Sequence, residues 1–264
     1  MTLQKIKRLR ITLEKAHEDF LLNNEISADA LEPALKFQNP RDKELVSFIC
    51  SILAYGRIVQ VKRNIHALID PMGDNPAEWL VEQTESDLKK HVKNWKHRFN
   101  DAHDILIMLL VLQKIYTDHG SIEKFLNPSR YKNTADLLIA IRKNFYALIP
   151  KNKKPKKSFD FFIPDPKLGS ASKRMNLYLK WMVRDTEPDL GLWKTFSKKN
   201  LIVPLDTHVF KQAKSLQITA RNVADLETAI EITEFLKKLD VDDPTRYDFA
   251  LCHLSINNTL LTWD

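Results

Sequence analysis

The chain has 264 residues, 44% of them hydrophobic, and a net charge of +7, enough apolar content for a packed core and too much for a disordered chain. Its five glycines form neither G-x-G-x-x-G nor G-x-x-x-x-G-K, which sets aside the glycine cradles of Rossmann and P-loop enzymes. Its two cysteines, Cys50 and Cys252, lie far apart without a C-x-x-C; this argues against zinc and four-thiolate iron–sulfur centres and leaves both as buried small hydrophobes.

Residues 1–10 are polar and basic with no apolar segment behind them, so no signal peptide is expected. The longest apolar run, Ile105 to Leu112, is far short of the ~18 residues a membrane span needs. A cytoplasmic, monomeric protein with no membrane partner is the expectation.

Apolar residues recur at three- and four-residue spacing almost throughout, and alternating runs are scarce, so the expected fold is all-α. In chain order the predicted helices are Leu3 to Leu22, Asp42 to Tyr55, Val59 to Asp70, Pro76 to Glu82, Glu85 to Lys93, Ala102 to His119, Ser121 to Phe125 and Thr134 to Leu148. A second set covers Ser170 to Val183, Leu205 to Leu216, Ala224 to Leu239 and Pro244 to Ile256. Residues 149–165, rich in Pro and Lys with an aromatic cluster at Phe159, Phe161 and Phe162, read as a linker. Residues 1–148 are then mainly an N-terminal helical lobe, and residues 166–264 the remainder.

Charge is focused rather than spread. From Lys151 to Arg184 there are ten Lys and Arg against two acids, an excess larger than that of the whole chain. Such focusing is the footprint of a polyanionic partner, although a solvated lysine loop would read the same way.

Within that stretch, Lys167-Leu168-Gly169-Ser170-Ala171-Ser172-Lys173-Arg174 has the form of a tight turn feeding a helix. Gly169 lets the backbone bend and approach a ligand, and the following N–H groups open a helix N-terminus that favours an anion such as a phosphate. An ordinary interhelical turn capped by Ser170 would need the same residues. Lys173, placed near a positive helix end beside Arg174 and against apolar surface, is expected to be disfavoured as an ammonium; a neutral amine is a nucleophile. Asp206, at the start of the next helix after Leu201 to Leu205, suits an N-cap and, if it faces Lys173, a carboxylate that assists proton transfers at the amine. His208 suits a packed helix position or a hydrogen-bond donor to the same site.

The glycine turn, the lysine four residues after the glycine and the later Pro204-Leu205-Asp206-Thr207-His208-Val209-Phe210 resemble the helix-hairpin-helix DNA glycosylase/AP lyase superfamily. Its endonuclease III branch reads L-P-G-V-G-x-K-T-A followed by V-D-T-H. Ala171 stands where that branch has its second glycine, and Lys167-Leu168 where it has L-P. The interval of 33 positions from Lys173 to Asp206 places the resemblance nearer the archaeal 8-oxoguanine glycosylase branch and a bacterial family related to it. Two further runs, Asp189 to Trp193 and Tyr247 to Leu251, carry the latter likeness.

The resemblance implies two helical lobes with a cleft between them, a helix-hairpin-helix contact to double-stranded, damaged or abasic DNA through Lys167, Gly169, Ser170, Ala171 and Arg174, and a nucleoid-associated repair protein. It implies Lys173 as Schiff-base nucleophile and Asp206 as its carboxylate partner, acting as glycosylase and AP lyase, with an oxidised purine as the candidate lesion, and with no metal or organic cofactor. Trp181, Trp193, His208 and Phe210 are candidates to line a base pocket, though each also suits a core. A DNA-binding protein of the same fold without the chemistry is the alternative, and a helical protein-interaction domain a further one.

Overall fold

The computed structural model describes residues 2–22 and 29–263. Among the described residues there are thirteen α-helices and one antiparallel pair of two-residue strands, so the fold is all-α. The chain divides into two compact units: 1–27, 132–135 and 166–264 form one, and 28–131 with 136–165 the other.

The first unit is built on α1 (Leu3–Leu22), α10 (Lys173–Val183), α11 (Thr207–Ser215), α12 (Leu226–Leu236) and α13 (Asp248–Ile256). Its core joins Leu9 and Leu13 of α1 with Val203, Val209, Leu216, Ile232 and Tyr247. A hydrogen bond from the Tyr247 hydroxyl to Glu14 Oε1 (3.1 Å) and stacking of Phe20 on Phe249 (4.9 Å) fix α1 against α13. The linear division into 1–148 and 166–264 therefore does not describe the molecule, because α1 buries its apolar face on helices from the far end of the chain.

The second unit holds α2 (Glu32–Leu35), α3 (Pro40–Leu53), α4 (Ile58–Ile69), α5 (Pro76–Glu82), α6 (Glu85–His91), α7 (Ala102–His119), α8 (Ile122–Leu126) and most of α9 (Thr134–Ala147). The strands β1 (Lys96–His97) and β2 (Asn100–Asp101) pair just before α7. Asp101 and Asp104 form a capping box at the start of α7, and Gly120 ends it at φ +78; in between, Ile105 to Leu109 are all buried. Among the described residues no single helix is long and apolar enough to cross a membrane.

Residues 149–165 are not a linker. Phe159 and Phe162 are buried, Phe159 packs edge-on to Tyr146 at 5.5 Å, and Arg142 pairs with Asp160 and Asp165. The aromatic cluster that reads as spacer composition anchors the segment to α9 instead. Only Phe161 of the three stays exposed, at 40%.

Candidate active site

The chain enters the Gly169 turn from a 3-10 turn at Pro166–Leu168, so only the second arm of the expected helical hairpin is α-helical. Gly169 has φ +80, and no atom lies within 4 Å of where its Cβ would be, so the conformation, not crowding, calls for glycine. Lys167 and Leu168 flank it on the surface. Ser170 Oγ accepts from Ser172 N at 3.1 Å, and Ala171 is buried with its carbonyl accepting from Asn176 Nδ2 at 3.0 Å.

The predicted helix Ser170 to Val183 starts three residues late, at Lys173, because Ser172 takes a left-handed backbone at φ +48 that no helix continues. Lys173 is thus the first helical residue rather than one turn in, and Arg174 follows it half-buried. Asp206 is the N-cap of α11: its Oδ1 accepts from the backbone N–H of His208 and of Val209, both at 2.9 Å. Its other oxygen, Oδ2, faces Lys173 Nζ at 3.3 Å. The capping duty and the pairing with the amine fall on different oxygens of one carboxylate. Two helix N-termini therefore meet at the pair, and both macrodipole ends favour negative charge there. The Lys173 side chain is 35% exposed and that of Asp206 18%, so the pair is not sealed in the core.

Helix α13 supplies the wall behind the pair. Cys252 Sγ lies 3.8 Å from Asp206 Oδ2, and Ser255 Oγ lies 3.3 Å from His208 Nδ1, so His208 is turned toward α13. Cys252 is half-buried beside a carboxylate, whereas Cys50 is buried, so only the latter meets the expectation of an inert hydrophobe. One turn earlier on α13, burial pushes the Asp248 carboxyl up from its ordinary range and the Asp206 charge adds to this, against the pull of Lys180. Sequence reading placed neither Ser255 nor Asp248 and took Cys252 for a buried hydrophobe; the i, i+4 and i, i+3 spacing of Asp248, Cys252 and Ser255 on one helix face was the available signal.

Not every expected site residue comes to this place. Trp181 and Trp193 are sealed in the core, Trp193 edge-on to Tyr178 at 5.5 Å, and the N–H of Leu190 and of Trp193 bond to the carbonyls of Trp181 and Met182. Neither ring presents a face to a base, which corrects the base-pocket expectation for both. Phe210 is half-buried against the unit's core. Of the basic stretch, Lys180 and Arg184 are also internal: Lys180 pairs with Asp248 and Asp189, Arg184 with Asp189 and Asp243. Lys153 and Lys156 pair with Glu85 and Asp101. The charge excess at the surface is therefore smaller than the sequence count suggests. Among the described residues, no group of three or more His, Cys, Asp or Glu is placed to hold a metal ion.

The chain belongs to the family described as protein of unknown function (DUF2400), which matches residues 29–257. No curated protein and no solved structure matches it.

Proposed function

We propose that the first unit carries an amine-based DNA lyase site of the glycosylase type, with Lys173 as nucleophile and Asp206 as proton acceptor. The observation that carries this reading is the 3.3 Å approach of Lys173 Nζ to Asp206 Oδ2, a carboxylate that caps α11, on a lysine side chain that is partly exposed. A proton passed across that distance leaves a neutral amine, and the carboxylate is held in place by its cap bonds while this happens.

At an abasic site the amine adds to the C1′ aldehyde and expels water, giving an imine. Loss of a C2′ proton then breaks the C3′–O3′ bond, and the 3′ phosphate leaves with its electron pair. Hydrolysis of the imine returns Lys173 and releases the unsaturated sugar on the other strand end. On an intact damaged nucleotide the C1′–N bond breaks with its electron pair going to the base, the Asp206 carboxylate stabilises positive charge on the sugar, and the amine adds to C1′; the proton the amine gives up passes through Asp206 and solvent to the departing base. An oxidised purine in double-stranded DNA is the candidate substrate. Gly169 and the residues about it, Lys167, Ser170, Ala171 and Arg174, suit contacts to a DNA phosphate at the helix opening.

The test is reduction with borohydride during incubation with an abasic duplex, which converts the imine to a stable amine link. Wild type is expected to give a covalent adduct that Lys173→Gln lacks; a folded wild-type protein that gives none removes the lyase reading. A panel of duplexes with single lesions, including 8-oxoguanine, reports on base removal.

A further inference from the structure

The second unit carries an exposed aromatic surface remote in sequence from Lys173. The two-residue turn between β1 and β2 presents Arg98 and Phe99, and Arg98 holds a left-handed backbone at φ +51, which residues other than glycine seldom adopt. Phe99 is 58% exposed and Phe161 40% exposed, and their rings stack with centroids 4.9 Å apart at 26°. Phe161 is also near-parallel to Tyr55, at 6.4 Å and 23°. The Arg98 guanidinium lies 5.6 Å from the Phe99 ring and 6.0 Å from that of Tyr55. It reaches there because residue 56 is glycine: a Cβ on Gly56 would stand 3.0 Å from Arg98 Cδ.

Beneath the rings the support is polar. The Tyr55 hydroxyl meets Asn100 Oδ1 at 2.5 Å and the His97 carbonyl at 3.0 Å; the Asn100 amide donates to Asp104 at 3.0 Å and to the Ser158 carbonyl at 2.8 Å. The turn, the Tyr55 loop and the Lys157–Phe161 3-10 turn are thereby locked together, while two of the rings they carry face water. Burial alone does not leave stacked phenylalanines outside on a rigid base. The segments that carry the rings are cationic: Arg57, Arg98 and Lys157 are exposed, Asp101 pairs with Lys156, and Asp160 pairs with Arg142 and also feels the charge of Lys157. Flat apolar faces beside a guanidinium, with positive charge around them, complement a polyanionic strand that offers planar rings.

We infer that Phe99, Phe161 and Arg98 form a stacking platform for an unpaired nucleobase of DNA, with Arg57 and Lys157 meeting the flanking phosphates. Base stacking on such rings is sequence-tolerant, so the platform accepts any exposed base.

The experiment compares two fluorescein-labelled strands by anisotropy on the full-length protein: dT15, and a base-free strand of fifteen tetrahydrofuran abasic units carrying the same phosphates. Wild type is expected to bind dT15 at least tenfold more tightly. The variant Phe99→Leu/Phe161→Leu keeps apolar bulk, and is expected to lose that preference while its affinity for the base-free strand stays within twofold. Equal binding of the two strands by wild type, or a preference that survives in the variant, overturns the platform. Lys173→Gln is expected to keep the preference, so failure here and failure of the lyase reading are separate results.

Discussion

Lys180 Nζ stands 3.3 Å from Asp248 Oδ2, with no solvent exposure on the lysine side chain and 9% on the aspartate. The Phe249 ring lies 3.6 Å from the same ammonium, and Asp189 Oδ1 at 3.6 Å. Four residues further on, just past the end of α10, the Arg184 guanidinium joins Asp189 to Asp243, with Nε donating to both Asp243 oxygens at 2.9 and 3.1 Å. One face of α10 and the residue that caps its end thus send Lys173, Lys180 and Arg184 into carboxylates from four later positions. Such a ladder fixes the rotation of the helix and hence the direction of Lys173.

Removing one member of a buried pair strands the other in a low-dielectric interior. Lys180→Ala is therefore expected to lose about 3–5 kcal/mol in urea unfolding. Adding Asp248→Asn should recover part of that loss, a coupling that a double-mutant cycle measures directly.

The two oxygens of Asp206 can be tested apart. Asparagine also caps helices, so Asp206→Asn is expected to stay within about 0.5 kcal/mol of wild type in unfolding, whereas Asp206→Ala loses about 1 kcal/mol. Both should slow borohydride trapping, since both lack the carboxylate that faces Lys173. The half-exposed ion pair itself contributes about 1 kcal/mol or less, so Lys173→Gln should fold normally.

Two glycines with positive φ should respond differently to alanine. Gly169→Ala meets no atom within 4 Å and is expected to cost about 1–2 kcal/mol for its backbone alone. Gly191→Ala places its Cβ 2.8 Å from Asp185 Cα, and should be far more damaging in a thermal melt. If the Gly169 turn meets a DNA phosphate, Lys167→Ala should weaken duplex binding evenly across sequences and lower the salt slope by about 1.

Acid should act through His17. Burial pulls its imidazole from the ordinary 6.5 down to about 4, helped by Arg184, Arg246 and Lys180. The folded value lies below the unfolded one, so the neutral ring's contribution is present above pH 6.5 and is lost as pH falls through 4. The full effect is on the order of 3 kcal/mol. His17→Leu should flatten the stability profile in that window, measured as urea midpoints against pH.

Much of the helical framework was legible because apolar periodicity and capping residues act locally. Leu3–Leu22, Pro76–Glu82 and Ala102–His119 lie where the sequence puts them. The start of α10 was not, since nothing in Ser170 to Ser172 announces a left-handed serine. Lys180 and Arg184 read as surface charge because their partners, Asp189, Asp243 and Asp248, come from other segments. For the same reason Trp181 and Trp193 read as pocket candidates; only the packing of the 190–193 loop onto α10 shows them enclosed. The Arg98-Phe99 turn escaped because neither residue is a usual turn former, and the strand residues beside it, His97 and Asn100, are held by Tyr55 and Asn64 from distant segments. The pairing of Lys173 with Asp206 was expected from the resemblance alone: the helix start at Asp206 is marked in the sequence, but nothing local says which side chain its free oxygen faces.

The most direct measurement is mass-spectrometric mapping of the borohydride adduct after proteolysis of the trapped complex. The reduced sugar remnant should sit on the peptide that contains Lys173, and trypsin should fail to cut after that residue. An adduct on any other lysine, or one that persists in Lys173→Gln, contradicts the assignment of Lys173 as the nucleophile.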